Sequence, residues 1–502
     1  MGNTESVQTP RQSRQYKAPS EKLAIAPAPT PASADNLAEE LSRLILSSKT
    51  RISSTANPIS TDSLNEWETE VLADPKNRLA QAAITKGAIA NVIKNPKVFQ
   101  NDSVHVFSEL IANEGAPITN QHSSGRCWLF ASTSLLRIGI QSRLKIDEFQ
   151  LSQSFLFFYD KLEKCNYFLQ NLIETADYDL DSRLLTALLQ DDVSDGGQWD
   201  FLINIIQKYG LVPRTVFPES FSSDNSYKID FIISNKIREF GLNLRKAKLE
   251  QNADITTLSV LKEKYMQEIF NILTITFGSP PKPNDTFTWE YTDTYGKYHS
   301  ITTTPLGFYE DIVKFDVSSY FSLIHDPRNP YDELYTVDRN NNMQGGKPLE
   351  FVNVPIDVLK QAAITAIQND EAVFFGSDVG QFSDSLSGIM DTEAWDYQLA
   401  YNTKFNLDKA DRVRLGLSQM THAMLLTGVD IVDGKPVKWK VMNSWGTDVG
   451  DKGFFTMSDK WFDEYVYQVV TTPKFIGKKY TDIWKAKDFK VLPRWDPYGS
   501  LA

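Results

Sequence analysis

Apolar residues along this chain follow two different periods. Over residues 123–142, Leu129, Leu135, Leu136 and Ile138 supply one apolar face at helical spacing. Ser123 or Ser124 stands where a hydroxyl caps the first turn, so the pattern predicts a helix with Cys127 near its start. A second helical stripe runs through Leu258, Leu261, Tyr265, Ile269, Ile272 and Leu273. Residues 37–100 also predict mostly helix, and Ser63-Leu64-Asn65-Glu66 matches a hydroxyl followed three residues on by Glu. From about residue 370 the period shortens. Ala372–Gly376 predicts a short strand. Met424–Val432 and Val437–Met442, joined through Asp433-Gly434, predict a hairpin with a tight turn. His422 then opens one strand and Asn443 follows the other, which can bring the two side by side. Helices first and strands later predict an α+β fold.

The punctuation divides the chain further. Residues 1–36 are rich in Ser, Pro, Ala, Gln and Thr, and bury too little apolar surface to offset their ordering entropy. They are expected to form a disordered tail. Met1 to Ser6 fits the loose N-myristoylation pattern at Gly2, but a plain flexible tail is the expectation. Within residues 1–20, Arg11, Arg14 and Lys17 stand against one acidic residue, Glu5, which leaves a weak organelle-targeting reading open. Residues 37–219 are read as a helical half and 346–484 as a β half. Residues 220–345 differ in character, with Pro280-Pro281-Lys282-Pro283 and a Thr/Tyr-rich stretch that predicts strands. They are read as a mainly helical insertion.

Bulk numbers narrow the class. A 502-residue chain with 41% hydrophobic and 23% charged residues suits an ordinary globular protein of two to three domain-sized units. A net charge of −12 argues against a protein dominated by phosphate binding. Two cysteines exclude a disulfide framework and point to a reducing compartment, the cytoplasm by default. No apolar stretch approaches the roughly 18 residues of a membrane span.

Candidate chemistry centres on Gln121-His122-Ser123-Ser124-Gly125-Arg126-Cys127-Trp128. A thiol attacks an amide as thiolate, and an imidazole can hold its proton and return it to the leaving amine. A helix N-terminus at Cys127 favours the thiolate. His422 is the candidate base, and Asn443 would hold its ring in the right tautomer, completing a Cys-His-Asn set. The Gln121 side chain and the Cys127 amide would stabilise the oxyanion, and Trp445 would cover the contact between Asn443 and His422. Each residue alone has a plainer reading: a buried thiol, a structural histidine, a turn asparagine. The ordered combination carries the chemistry. Cys165 lacks such company and is read as structural. His105, His122, His299 and His325 lack metal-ligand spacing, and no cofactor fingerprint is present.

These residues resemble papain-like cysteine peptidases, and within them the bleomycin hydrolase and bacterial aminopeptidase C branch, of the fungal type. The markers are Asn120-Gln121 with Ser123 to Ala131, Leu151 to Ser154, Phe157 to Lys161, Asp195 to Trp199, Tyr209 to Pro213, Thr421 to Met424 and Asn443 to Gly446. A papain-type histidine follows its cysteine by about 130–150 residues, whereas here the separation is 422 − 127 = 295. The surplus matches the insertion, which the resemblance assigns to oligomerisation.

The resemblance implies a papain-like fold and a cysteine aminopeptidase built as a homohexameric ring, cytoplasmic with a mitochondrial pool. It also implies hydrolysis of bleomycin and homocysteine thiolactone. Residues 485–502 would form a C-terminal arm in the cleft, with the Ala502 carboxylate meeting the substrate's α-ammonium and Gly196-Gly197 lining the cleft. Relatives of the fungal type imply nucleic-acid binding through basic residues, for which Lys236, Arg238, Arg245, Lys246 and Lys248 are the local candidates. Over 228–268 the balance is 8 − 6 = +2, and a solvated helix face is the preferred reading. Ser124, Met442 and Ser377 depart from the expected Cys, Glu and Cys. The competing functions are an endopeptidase of the same fold, a nucleic-acid-binding ring with secondary peptidase activity, and an inactive assembly.

Overall fold

The computed structural model describes residues 59–190 and 193–500. The expectations for the 1–36 tail, for Gly2 and for Ala502 lie outside these residues. The chain divides into two compact units, Met1–Pro75 and Lys76–Ala502. The described part of the first unit holds a helix over Thr61–Ala73. Its cap is Ser60, whose side chain accepts from the Ser63 amide. The cap thus lies three residues before the Ser63 expected from the sequence, and Ser63 sits inside the first turn.

The second unit contains a helical layer and one large sheet. Helix α1 (Cys127–Leu144) is buried around most of its first three turns. Such a helix has no solvent face to make it amphipathic, which is why its apolar stripe is broad and continuous. It begins at Cys127, and its cap residue Arg126 makes no side-chain cap bond. The expected caps serve elsewhere: Ser124 donates its hydroxyl to the Gln121 carbonyl at 2.7 Å and accepts from Arg126 Nε at 2.9 Å. Helix α2 (Gln153–Glu174) is capped by Ser152, and α3 (Trp199–Tyr209) follows the Gly196-Gly197 loop. Helices α4 (Tyr227–Leu249) and α5 (Ile255–Phe277) come from the inserted region and pack on α2 and on each other. Leu258, Ile269 and Leu273 are the buried positions of the expected stripe. A hairpin over Phe287–Thr292 and Tyr298–Thr303 matches the Thr/Tyr-rich stretch.

The sheet contains twelve strands among the described residues. Nine are used below: β1 (Phe321–Ile324), β2 (Glu333–Val337), β3 (Phe351–Asn353), β4 (Val373–Ser377), β5 (His422–Val432), β6 (Lys435–Met442), β7 (Phe454–Ser458), β8 (Val466–Thr471) and β9 (Phe489–Leu492). Their order is β9-β2-β3-β1-β8-β4-β5-β6-β7. Strands β1 and β2 lie inside the stretch read as insertion, so the sheet begins earlier in the chain than its β half. The β5–β6 hairpin turns at Asp433 and Gly434, with φ of 51° and 74°. Both central residues of a type I′ turn need this left-handed backbone, and Asp-Gly accepts it at low cost. Helix α1 packs on β5, which sets the helix that opens at Cys127 against the strand that opens at His422.

Candidate active site

The site forms where α1, β5 and the residues after β6 meet. Backbone pairing brings the segment before α1 to the segment after β6. Gln121 donates its amide to the Ser444 carbonyl at 2.8 Å, Gly446 donates to Thr119 at 3.0 Å, and Asn120 bridges Trp445. Gln121, 323 positions from Ser444 in sequence, is thereby fixed beside Asn443. Its side chain is fully engaged in position: Oε1 accepts from Ser444 Oγ and Nε2 donates to the Ser124 carbonyl, both at 2.7 Å. An amide nitrogen has two hydrogens, and this contact uses one.

His422 and Asn443 meet at 2.8 Å between Nε2 and Oδ1. The same Oδ1 accepts from the Ser444 amide at 2.8 Å. The Asn443 oxygen therefore faces the ring, and Nε2 has to donate. In the neutral ring this leaves Nδ1 without a proton, available as a base. The Trp445 ring packs against His422 with centroids 4.8 Å apart and planes tilted by 31°.

Cys127 opens α1 and, like His422 and Asn443, is buried. The backbone amides of Ala423, Trp128 and Cys127 act on its sulfur. Ala423 adjoins His422, so the thiol lies against the first residues of β5. Burial nevertheless dominates. It pushes Cys127 up to about 11 despite those amides, and pushes His422 down to about 4 despite Asn443. The helix terminus alone does not make a thiolate here. Both shifts favour the neutral forms, and a thiolate–imidazolium pair forms by passing the proton from sulfur to ring.

Cys127, Gln121, His422 and Thr421 open onto a cavity of about 390 Å³. Its far bank is Gly125, Ser194, Asp195 and Gly196, with Asp230 and Ser234 from α4. Two buried lysines of α2 hold this bank. Lys161 Nζ contacts Asp195 Oδ1, Asp230 Oδ1 and the Val193 carbonyl, each at 2.7 Å. Lys164 Nζ donates to the Gly196 carbonyl at 2.6 Å and the Ser194 carbonyl at 2.9 Å, and pairs with Asp160. Asp195 in turn accepts from the Gly125 amide at 3.0 Å and from Ser226 Oγ at 2.5 Å. Burial opposes its ionisation, but Lys161 and these donors hold the carboxyl well below the usual range. Burial raises Asp230 to about 6, with Lys161 opposing and Asp195 adding to the rise.

Gly196 lines the cavity. Gly197 instead faces Trp128: a Cβ there would lie 2.3 Å from Trp128 Cε2. Its small size serves the seat of the nucleophile helix. His122 is an exposed loop residue with φ of 51°, and Cys165 is buried in α2. No group of metal-ligating side chains is found among the described residues.

The arm runs through β9, parallel to β2, and on to Ser500. Arg328 pairs with Asp496 at 2.8 Å, Tyr498 is buried with its hydroxyl on the His325 carbonyl, and Asn340 donates to the Gly499 carbonyl at 2.8 Å. Ser500 spans the cleft edges. Its carbonyl accepts from Gln198 Nε2 at 2.9 Å, and its hydroxyl donates to the Met420 carbonyl at 3.0 Å. Gln198 follows Gly197, and Met420 precedes His422 by two residues.

The basic residues of the insertion are mostly used within the chain. Arg245 is buried and donates to the Thr175 and Tyr178 carbonyls. Arg238 donates to Leu189, Lys248 to Ile173, and Lys236 pairs with Glu239 and Glu268. Lys246 is exposed. Residues missed in the sequence are Lys161, Lys164, Asp230, Ser444, Gln198 and Met420. Lys161 closes one of the quoted motifs, but a lysine in such a motif carries no mark of burial.

Comparisons with known proteins give the family. A Peptidase C1-like family model matches residues 58–499. Cysteine proteinase 1, mitochondrial, of Saccharomyces cerevisiae is 41% identical over 439 residues, 86% of this chain and 90% of its own. Human bleomycin hydrolase is 40% identical over 441 residues, 86% of this chain and 96% of its own. The crystal structure of PepW from Lactobacillus rhamnosis superposes with a TM-score of 0.86 at 41% identity, covering 89% of this chain and all of that one. The chain belongs to the Peptidase C1-like family, as a cysteine-type peptidase of the bleomycin hydrolase kind with the α+β fold of that family.

Proposed function

We propose that the protein is a cysteine aminopeptidase that releases N-terminal residues from peptides through a thioester on Cys127. The position of Ser500 carries this reading. An arm held between Gln198 and Met420 occupies the cleft on the side where the N-terminal extension of a longer substrate would lie. Substrates with little or nothing before the acyl residue fit that space. Under this reading the Ala502 carboxylate meets the free α-ammonium.

In the proposed reaction, His422 Nδ1 takes the Cys127 proton as sulfur attacks the carbonyl carbon. The oxyanion that forms is met by the second hydrogen of Gln121 Nε2 and by the Cys127 amide, which at a helix start has no carbonyl of its own helix to bind. The imidazolium then protonates the leaving amine, and the thioester remains. Water, deprotonated by His422, adds to the thioester; the C–S bond breaks, the Cys127 sulfur takes the proton back from the imidazolium, and the acid product departs. Hydrolysis of bleomycin and of homocysteine thiolactone belongs to the same reading, since each presents an acyl group next to a free amine. Exposed apolar side chains on α4 and α5, among them Phe231, Ile232, Phe270 and Ile275, support burial in an assembly such as a hexameric ring. A cytoplasmic location with a mitochondrial pool suits two cysteines that form no disulfide. No helix among the described residues is long and apolar enough to cross a membrane.

The deciding experiment compares free and N-acetylated aminoacyl-coumarin substrates, with and without a thiol-alkylating reagent. The reading expects alkylation-sensitive cleavage of the free substrates only. Equal cleavage of blocked substrates would make the protein an endopeptidase.

A further inference from the structure

The insertion reaches the active-site cavity: Asp230 and Ser234 of α4 form part of its far bank. The chemistry says what that bank faces. His422 must protonate the leaving amine, so the amine side of the scissile bond lies toward β5. The acyl residue stays on sulfur and projects across the cavity, toward Gly125, Ser194 and α4. A cavity of about 390 Å³ accommodates a long side chain there.

The charges on this bank do not cancel. One ammonium, Lys161, sits between two carboxylates, Asp195 and Asp230. Asp195 is also saturated by Gly125 and Ser226, and its side chain is only 7% exposed. Asp230 is 30% exposed on the cavity side. One negative charge is left in excess, and it opens to the cavity at Asp230. No cation lines the cavity among the described residues. The charge also works against the nucleophile, because Asp195 raises the Cys127 thiol further.

We propose that Asp230, supplied by the inserted helix, is a specificity residue that draws a cationic lysyl or arginyl side chain of the acyl residue into this cavity. The proposal rests on the thiol-peptidase reading above and adds the class of N-terminal residue preferred. A bound ammonium or guanidinium would neutralise the excess charge at Asp230. A lysyl substrate is then favoured over norleucyl, which has the same carbon skeleton without the ammonium.

The test is the ratio of kcat/KM for lysyl- and norleucyl-aminomethylcoumarin, in which any general loss of activity divides out. The wild type is expected to favour lysine by about tenfold or more, and Asp230→Asn to lower that ratio by about tenfold. Asp230→Asn removes one partner of Lys161, so Ser234→Lys serves as a second variant. It leaves the Lys161 contacts intact and sets a positive charge in the same bank, and is expected to lower the ratio by a similar factor. Stoichiometric alkylation of Cys127 counts folded sites in each preparation. A wild-type ratio near one, or a ratio unchanged in the folded variants, overturns the proposal. The same pair is measured with acetylated substrates. If blocked peptides are cut, the aminopeptidase reading fails while the lysine ratio still decides the role of Asp230.

Discussion

Ser444 binds Gln121 twice, through its carbonyl to the Gln121 amide at 2.8 Å and through its hydroxyl to Oε1 at 2.7 Å. The proposed oxyanion donor is thus fixed by the residue that follows Asn443, and the helical and β halves are joined at the point of chemistry. Gln121→Ala should lower kcat by about 10²–10³. Gln121→Glu keeps an oxygen for Ser444 but loses the amide donor and sets a buried carboxylate against the Ser124 carbonyl. It should lose comparable rate and also melt at a lower temperature, with alkylation of Cys127 counting the folded sites. Full activity in Gln121→Glu would remove the side chain from the oxyanion role.

Asn443→Ala should release the His422 ring from its tautomer. We expect kcat to fall by about 10²-fold with KM little changed, because the substrate does not touch Asn443. Steady-state kinetics with a free aminoacyl-coumarin decides this. A change confined to KM would contradict the assigned role.

Deleting Ala502 shifts the proposed anion by one residue. Aminopeptidase rates should drop more than thermal stability does, and removal of Leu501 and Ala502 together should raise cleavage of acetylated substrates. Unchanged kinetics in both truncated proteins would refute the arm's part in selection.

Proton transfer from Cys127 to His422 changes no net charge. The ion-pair fraction should therefore stay level between the two limits, about 4 for His422 and about 11 for Cys127. The rate of alkylation by iodoacetamide should show this plateau, fall as pH drops through about 4, and climb toward about 11 as free thiolate forms. A single rise centred near the ordinary thiol value of about 8.5 would mean that the thiol titrates alone. Stability has its own sign. The unfolded chain protonates His422 near 6.5, before the folded chain does, so this residue's contribution is lost as pH falls from about 6.5 toward about 4.

Arg245 and Lys246 separate structure from surface charge. Arg245 is 5% exposed and caps two carbonyls, so Arg245→Met should cost about 2 kcal/mol of stability. Lys246→Ala should cost under about 0.5 kcal/mol. Denaturant titration measures both. Filter binding of single-stranded DNA to Lys246→Ala tests the nucleic-acid reading directly, since removing an ammonium that pairs with phosphate would flatten the salt dependence.

The placing of Cys127, His422 and Asn443 was legible because its signals are local: a helix start at Cys127, a strand start at His422 and a strand end just before Asn443. Helix and hairpin existence followed from period alone, and the Asp433-Gly434 turn was found where that dipeptide stands. The helix cap was misplaced because Ser124 has a stronger use in binding Gln121 and Arg126. The electrostatics at Cys127 were not legible either. A sequence shows the favourable helix terminus, while the burial that outweighs it is tertiary. The far bank was hidden for the same reason. Asp195 and Asp230 are 35 positions apart (230 − 195) and are drawn together by Lys161 of a third element.

Gly197 seated on Trp128, and the lysines under residues 193–196, weld one bank of the cleft to the helix that bears the sulfur. Attacking atom and acyl-side contour then travel as a single stiff body. Any breathing that admits a bulky guest must come from the β5 edge and the arm. Covalent inhibitors elaborated toward Gly125 should consequently meet an unyielding mould, with steep losses for each misplaced methyl, while groups grown toward Met420 should find a forgiving one.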